Sequence, residues 1–475
     1  MSEGNPTQTK TICIIGAGAA GLAALRAILD SPQYKSGLWK PIAIEARHRV
    51  GGVWLPDSAA DIHPPSLPMT PLYDSLTTNL PHPVMCFPSF PFPPSTPIFP
   101  VAARVQTYLE SYAAHFKLTP FIRLNTVVTD VRRASSKWAV QLNHTENSEF
   151  DFVIVANGHH KIPRYPNVHG LQNWLAGNKA THSVWYRRPH NMGGKVLVVG
   201  GGPSGDDISA EMRYACTTLI RSISNASNQD ESQNFKIRGR LTGFGTAGDV
   251  FFEDGSKETG VDHCILATGY QVSLPFLPNS ILHPALPPPC PPLPDILHNS
   301  TYHIFPLARH IFPLQSTFPP TSLVFMGLPV RVAPLPVMEA QAAAIVRAFA
   351  NPETAFDPER ETHDLLARYA RLAHSVRGDP AAIARIWSVF QEDEQFTYQD
   401  ELYAFAGRDD IRVPQWRKDM YAAKVLLRSF WVELERRGEA DEWVKGVGEG
   451  PAGADEWATL LQRLLRAAEE WESNK

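Results

Sequence analysis

Two glycine triplets in this sequence have the spacing that lets a backbone hold a diphosphate. Gly16-x-Gly18-x-x-Gly21 follows the apolar run Thr11-Ile12-Cys13-Ile14-Ile15, and Gly200-x-Gly202-x-x-Gly205 follows Lys195-Val196-Leu197-Val198-Val199. In such a motif the first glycine makes a tight turn and the second lets a pyrophosphate approach the backbone. The third lets helix pack on strand, and the diphosphate rests on a helix N-terminus. One copy is weak evidence. Two in one chain point to two dinucleotides held at once, with electrons passing between them.

The two copies are not equivalent. The first carries a carboxylate, Glu45, at the end of the next strand, where the dinucleotide fingerprint places an acceptor for ribose hydroxyls about 20 residues on. Arg47-His48-Arg49-Val50-Gly51-Gly52-Val53-Trp54 follows, and its paired glycines let the chain pass close to a cofactor or make an ordinary turn beneath a packed tryptophan. The strand after the second copy, Thr217 to Ser224, ends without a carboxylate, which disfavours recognition of a free 2′-hydroxyl as in NAD. Arg221, or Lys236, Arg238 or Arg240 further on, could pair with a 2′-phosphate instead, so the expected second nucleotide is NADPH. Each of these cations also reads as a solvated surface charge. The strand Cys264-Ile265-Leu266-Ala267-Thr268-Gly269 closes this second unit, bringing backbone to a cofactor or a domain junction.

Other chemistries find little support. The five cysteines, Cys13, Cys86, Cys216, Cys264 and Cys290, are scattered and never spaced C-x-x-C. That fits a reducing compartment and removes the cysteine pair of a disulfide reductase. No metal cluster or catalytic triad is recognisable. Net charge is −4 with no long basic block, which argues against nucleic acid. The first ten residues are polar, leaving no room for a signal peptide before the strand at Thr11, and no apolar run reaches the roughly 18 residues of a membrane span. The chain therefore reads as soluble and cytoplasmic.

The elements that must position these residues follow from periodicity. Thr11 to Ile15 and Pro41 to Ile44 read as buried strands flanking a helix from Ala19 to Leu29. Proline is too dense from Pro56 to Pro100 for helix or central strand, and Tyr73, Phe87, Phe90, Phe92 and Phe99 predict an ordered, packed loop. Val101 to Phe116 reads as helix, Thr126 to Arg132 with Lys137 to Leu142 as a β-ribbon, and Phe152 to Ala156 as a buried strand. A second proline cluster, Pro284 to Pro294, reads as an exposed insertion. Ser322 to Gly327 reads as strand, Val337 to Ala350 as helix, and the chain beyond Asp357 as charged helices anchored by Trp387, Trp416, Trp431 and Trp457.

Between the glycine motifs stands Trp174-x-x-Gly177-x-x-x-x-His182-Ser183-x-x-Tyr186-Arg187. Here the chain resembles the class B flavoprotein monooxygenases, and within them the flavin-containing monooxygenases of fungal type, whose identifying segment reads Phe-x-Gly-x-x-x-His-x-x-x-Tyr/Phe. His182-x-x-x-Tyr186 matches. Gly177 is one residue too far from His182, and the Phe is missing. Further segments are similar to the family in order: Tyr73-Asp74-Ser75-Leu76-Thr77-Thr78-Asn79 with Phe87-Pro88-Ser89-Phe90-Pro91-Phe92-Pro93, then Gly158-His159 with Pro163 and Pro166, and Gly327-Leu328-Pro329 with Pro334-x-Pro336-x-x-Glu339-x-Gln341-Ala342.

The resemblance implies an α/β fold with two dinucleotide-binding, Rossmann-like domains. An NADPH domain (163–268) is inserted in an FAD domain (8–162 and 269–355), and a helical extension (356–475) follows. It implies that Gly16, Gly18, Ala19, Ala20, Gly21, Glu45, Val53 and Trp54 bind FAD and that Val128 sits near the adenine. Thr78, Asn79 and Leu80 would lie between flavin and nicotinamide, and Gly200, Gly202, Ser204, Gly205, Asp206, Asp207 and Arg221 on the NADPH side. Asn79 is the expected catalytic helper, donating a hydrogen bond to a flavin C4a-hydroperoxide; read without the resemblance, it is an Asx-turn residue. The implied reaction transfers one oxygen atom from O₂ to a soft sulfur or nitrogen of a small molecule. Tyr186-Arg187 stands where a Baeyer–Villiger enzyme shows Trp followed by Pro or Asp, although ketone oxygenation, an uncoupled NADPH oxidase or reductase, and a non-enzymatic FAD scaffold remain as alternatives. A homodimer is compatible with the sequence.

Overall fold

The computed structural model describes residues 9–57, 67–190, 192–224, 226, 231–232, 234–352, 354–391, 393–450 and 453–474. Residues 58–66 of the expected proline-rich loop, and the expected domain ends at residues 8 and 475, lie outside the described residues.

Along the chain come β1 (Lys10–Ile15), α1 (Ala19–Asp30), β2 (Trp39–Ile44), α2 (Ala102–His115), β3 (Ile122–Arg123), β4 (Val128–Ala134), β5 (Lys137–Leu142), β6 (Glu146–Phe150) and β7 (Phe152–Val155). Then follow β8 (Ala180–His182), β9 (Lys195–Val199), α3 (Pro203–Met212), β10 (Thr218–Ser222), β11 (Glu231–Ser232), β12 (Phe235–Arg238) and β13 (His263–Leu266). The last stretch carries β14 (Leu323–Phe325), α4 (Pro334–Ala350), α5 (Pro358–Ser375), α6 (Pro380–Ile386), α7 (Glu394–Phe405), α8 (Gln415–Ala422), α9 (Lys424–Arg437) and α10 (Ala454–Ser473), with shorter elements between. Two compact units result. One comprises residues 1–55, 77–158 and 272–475, the other 56–76 and 159–271.

The first unit is built on a five-stranded parallel sheet in the order β14-β7-β1-β2-β3. Its central strands read as near-continuous apolar runs because both faces are covered, as parallel sheets require. Ile12, Ile14 and Val324 face a core shared with α1, α2, α4 and the C-terminal helices, whereas Cys13, Val153 and Phe325 face the β4–β6 ribbon. The proline-rich loop from Thr77 to Pro100 is packed by its aromatics: Phe87 and Phe99 are buried, and Phe92 stacks on Tyr108 with ring centroids 3.9 Å apart. Asp357 and Asp379 cap α5 and α6 by accepting backbone N–H groups of their first turns. Trp387, Trp431 and Trp457 are buried anchors, and Trp416 is partly buried against the same core.

Buried histidines of this unit, His82, His303 and His310, have pKa values lowered by burial, and His82 gives a testable case. The ring of His82 lies 5.0 Å from that of Phe92 and 4.4 Å from that of Trp457. Among the described residues neither nitrogen has a partner in full hydrogen-bond geometry, with the Thr96 backbone giving only a weak counter to burial. Burial pushes its pKa down to about 3. An unfolded histidine titrates near 6.5, so the unfolded chain binds the proton first, and stability that is full above pH 6.5 is lost as the pH falls toward 3. Between pH 7 and pH 5 this single group costs about 2 kcal/mol. His82→Phe removes the titration while keeping an aromatic ring in the slot. Its melting temperature should therefore fall less than that of the wild type between those pH values. Equal falls would remove His82 from the acid response.

The second unit carries a six-stranded sheet in the order β11-β12-β10-β9-β13-β8, parallel except for the β11–β12 pair. Residues 56–76 group with it, although the sequence reading placed them in the first segment. Tyr73 explains the grouping: its ring meets that of Tyr186 edge-on at 5.9 Å, and its hydroxyl donates to Asp207 on α3.

Candidate functional site

The first glycine turn joins β1 to α1 at the carboxyl edge of its sheet, where open α/β sheets bind ligands. Gly16 has φ +104°, and a Cβ there would lie 2.6 Å from the Ala156 carbonyl oxygen; one on Gly21 would lie 1.9 Å from the Gly16 oxygen. No side chain caps α1, and no acidic residue sits in its first turn. The N–H groups of Gly18, Ala19 and Ala20 have no acceptor among the described residues. A helix start with open donors and no competing carboxylate suits a diphosphate.

Glu45 is buried at the end of β2, and its two carboxylate oxygens accept the N–H groups of Ala17 (2.7 Å) and Arg47 (2.9 Å). These bonds fix the carboxylate beside the turn and leave further lone pairs for ribose hydroxyls. Thr126 N–H donates to the Glu45 carbonyl at 2.9 Å, which brings the strand beginning at Val128 to the same end of the sheet. The Gly51-Gly52 turn closes over the motif: Gly51 N–H donates to the Ala17 carbonyl at 3.1 Å, and a Cβ on Gly18 would lie 3.3 Å from the Gly52 Cα. Val53 and Trp54 complete the short helix that follows, with Val53 38% exposed. These residues fit the adenosine and diphosphate of FAD.

In the proline-rich loop, Thr78 is buried. Its N–H donates to the Pro100 carbonyl (3.0 Å) and its hydroxyl to the Leu80 carbonyl (2.9 Å). Leu80 is buried and Asn79 exposed. The Asn79 amide forms no hydrogen bond with any described residue, so it is not spent on an Asx turn. Arg428, from α9, reaches the loop and donates to the Thr77 hydroxyl. Nothing in the sequence near Arg428 marks that contact, which depends on a helix some 350 residues away.

The second turn repeats the first. Gly200 has φ +142°, a Cβ there would lie 2.2 Å from the Ala267 oxygen, and one on Gly205 would lie 2.3 Å from the Gly200 oxygen. The middle position differs: nothing lies within 4 Å of a Cβ on Gly202. Beside this turn is a cavity of about 480 Å³ lined by Gly200, Gly201, Ser222, Ser224, Arg240 and Thr268, among others. In the first turn of α3 the Ser204 hydroxyl has no hydrogen-bond partner among the described residues, but Asp206 and Asp207 are engaged within the protein, Asp206 by Arg221 and Asp207 by Tyr73.

Arg221 therefore stands differently from the sequence reading. It lies on β10 between residues that alternate in direction, with Ser222 and Ser224 toward the cavity, and its guanidinium pairs with Asp206. Of the four candidate cations, Arg240 lines the cavity, paired only at the surface with Glu253 at 3.2 Å; Lys236 and Arg238 converge on Glu258. Sequence periodicity places Arg221 on the right strand but does not reveal that α3 supplies it a carboxylate.

The segment around His182 acts as a strut of this unit. His182 Nδ1 accepts Val184 N–H at 3.1 Å, so its Nε2 carries the proton that meets the Gly269 carbonyl at 3.0 Å. Burial holds its pKa down to about 4, and the ring stays neutral. The Tyr186 hydroxyl donates to Glu211 on α3 at 2.6 Å. Both residues thus brace the turns around the cavity.

Residues 9–228 match the model of the flavin-binding monooxygenase-like family. The chain is 30% identical over 448 residues to flavin-containing monooxygenase FMO GS-OX5 of Arabidopsis thaliana, covering 86% of this chain and 92% of that one. The chain belongs to the flavin-containing monooxygenases. This flavin-containing monooxygenase is also 29% identical over 415 residues to the thiol-specific monooxygenase of Saccharomyces cerevisiae, with 83% and 91% of the two chains covered. Among solved structures it resembles S-allyl-L-cysteine S-oxygenase from Allium sativum, with TM-score 0.72, 25% identity and 98% and 99% coverage. The two parallel sheets are its Rossmann-like folds, and FAD and NADPH are the cofactors of this monooxygenase. No helix among the described residues is long and apolar enough to cross a membrane.

Proposed function

We propose that this flavin-containing monooxygenase transfers one oxygen atom from O₂ to a soft nucleophile on a small molecule, sulfur in preference to nitrogen. The observation that carries the two-nucleotide reading is the contrast between the turns. The first is closed over by Gly51-Gly52, as suits a nucleotide that stays; the second is open and faces a cavity, as suits one that exchanges. The preference for sulfur rests on relatives named for thiols and for S-allyl-L-cysteine. Bound FAD supplies hydride acceptance from NADPH and activation of O₂. The protein's part is to orient and shield. The start of α1 and Glu45 hold FAD, with Val53, Trp54 and Val128 around it. The buried Thr78 and Leu80 fix the turn that presents the Asn79 amide to the reacting oxygen. Gly200, Gly202, Ser204 and Gly205 receive the diphosphate of NADPH, while Asp206 and Asp207 stabilise the first turn of α3 and hold Arg221 and Tyr73.

Arg240 is the better reader of the 2′-phosphate. Its pair with Glu253 is exposed, an arrangement worth about 0–1 kcal/mol, so the guanidinium can exchange it for a stronger phosphate contact. Arg240→Ala should raise the Michaelis constant for NADPH by about 10- to 100-fold and leave that for NADH nearly unchanged. Arg221→Ala should instead leave the Michaelis constant for NADPH nearly unchanged, because its guanidinium is already held by Asp206. The reverse pattern would return the role to Arg221.

All five cysteines are free, and burial raises every one of their pKa values, to about 12 for Cys13 and about 11 for Cys86 and Cys290. None is poised as a thiolate nucleophile. The deciding experiment is mass spectrometry of products after incubation with NADPH, O₂ and a panel of thiols, thioethers, amines and cyclic ketones. A gain of one oxygen on sulfur is expected. Lactone from the ketones alone would mark a Baeyer–Villiger enzyme, and NADPH consumption without any oxygenated product would mark an oxidase.

A further inference from the structure

Gly327 leaves β14 at the carboxyl edge of the first sheet with φ +73°, and a Cβ on it would lie 3.8 Å from the Ala20 Cβ in the first turn of α1. The Gly327 turn is thus a wall of the proposed FAD site. Its N–H donates to Gln341 Oε1 at 2.9 Å, Gln341 Nε2 donates to the Tyr398 hydroxyl at 2.9 Å, and that hydroxyl donates to the Arg309 carbonyl at 2.7 Å. Gln341 lies on α4 and is fully buried; Tyr398 lies on α7, in the C-terminal extension, and is 7% exposed.

The relay has one sense only. Gly327 N–H is a donor and the Arg309 carbonyl an acceptor, so the amide must present its oxygen to the turn and its NH₂ to the tyrosine, whose proton must then point to Arg309. A flipped amide would set donor against donor in a site without water access. The next N–H, that of Leu328, has no acceptor among the described residues. Gln341 therefore occupies one of two adjacent backbone donors and, by fixing the peptide between them, sets the direction of the other.

We propose that Gln341 and Tyr398 are positioning residues for the flavin: through this relay the C-terminal extension fixes the Gly327 turn in the geometry that bound FAD requires. The inference rests on the FAD reading of the first site. The relay members touch no reacting atom. They act through the turn, and their loss is felt in how the flavin is held.

The test uses the full chain, with Tyr398→Phe and Gln341→Met compared with the wild type. Three quantities are measured: the FAD dissociation constant from flavin fluorescence, the visible circular dichroism of bound FAD, and the melting temperature with and without FAD. Tyr398→Phe should weaken FAD binding by about tenfold, the equivalent of one net hydrogen bond. It should also change the flavin dichroism and shrink the FAD-dependent rise in melting temperature. Gln341→Met, which strands the Gly327 N–H itself, should do all three more strongly. Equal falls in melting temperature with and without FAD, at unchanged dissociation constant and dichroism in both variants, would reduce the relay to a structural brace and overturn the proposal. Failure of the wild type to bind FAD would overturn the site assignment instead, which keeps the two readings distinguishable.

Discussion

A Gly18→Val protein should purify colourless. Gly18 and Gly52 meet backbone to backbone: a Cβ on Gly18 would lie 3.3 Å from the Gly52 Cα, and one on Gly52 would lie 2.9 Å from the Gly18 Cα. The two γ-methyls of valine must displace the Gly51-Gly52 turn or project over the start of α1, where the open N–H groups await a diphosphate. Overpacking of this kind costs about 1–3 kcal/mol, and the blocked approach to the donors adds to it, so FAD affinity should fall by at least about 100-fold. Gly202→Val is the matched control. Nothing lies within 4 Å of a Cβ there, so that variant should stay yellow and fully folded while its Michaelis constant for NADPH rises. Visible flavin absorbance per mole of protein reads both outcomes. A yellow Gly18→Val protein would remove the first turn from the FAD site.

Asn79→Ala should fold and bind FAD normally yet waste its NADPH. The Asn79 side chain is exposed and bonded to nothing described, while Thr78 holds the turn through its own N–H and hydroxyl. Removing the amide should therefore change stability by no more than about 0.5 kcal/mol. Loss of one preorganised donor at a reacting oxygen typically costs about 10²–10³ in rate. The consequence expected here is release of H₂O₂ in place of oxygenated substrate, with product per NADPH falling toward zero. Coupling equal to that of the wild type would remove Asn79 from the chemistry and leave it a surface residue of a proline-rich loop.

Both glycine turns were legible because their requirements are local. A strand that must turn at once into a helix needs positive φ at Gly16 and Gly200 and needs no side chain at Gly21 and Gly205, and each of these demands is written within a few residues. The place of Glu45 was legible for the same reason, since the strand ends at the residue before it, Ile44, and its carboxylate lies beside the first turn, bonded to Ala17 N–H. The aromatic content of the proline-rich loop likewise announced a packed segment, and Phe87, Phe92 and Phe99 are buried in it. Charged residues were harder. Arg221, Asp206 and Asp207 lie near the second turn in sequence, and by sequence alone they form one nucleotide-facing group. In the fold, Arg221 and Asp206 pair with each other and Tyr73 takes Asp207. The energy of a charge depends on its partner, and the partner comes from elsewhere in the chain.

By itself the sequence determined that this protein holds two dinucleotides on two βαβ scaffolds, because glycine spacing and strand hydrophobicity are short-range demands of backbone sterics. The tertiary structure alone decided which turn is closed and which open, that Arg240 rather than Arg221 lines the cavity, that Gln341 and Tyr398 tie distant helices to the Gly327 turn, and that Arg428 reaches Thr77. Those outcomes depend on packing contacts hundreds of residues apart, whose free energy exists only once the core that brings them together has formed.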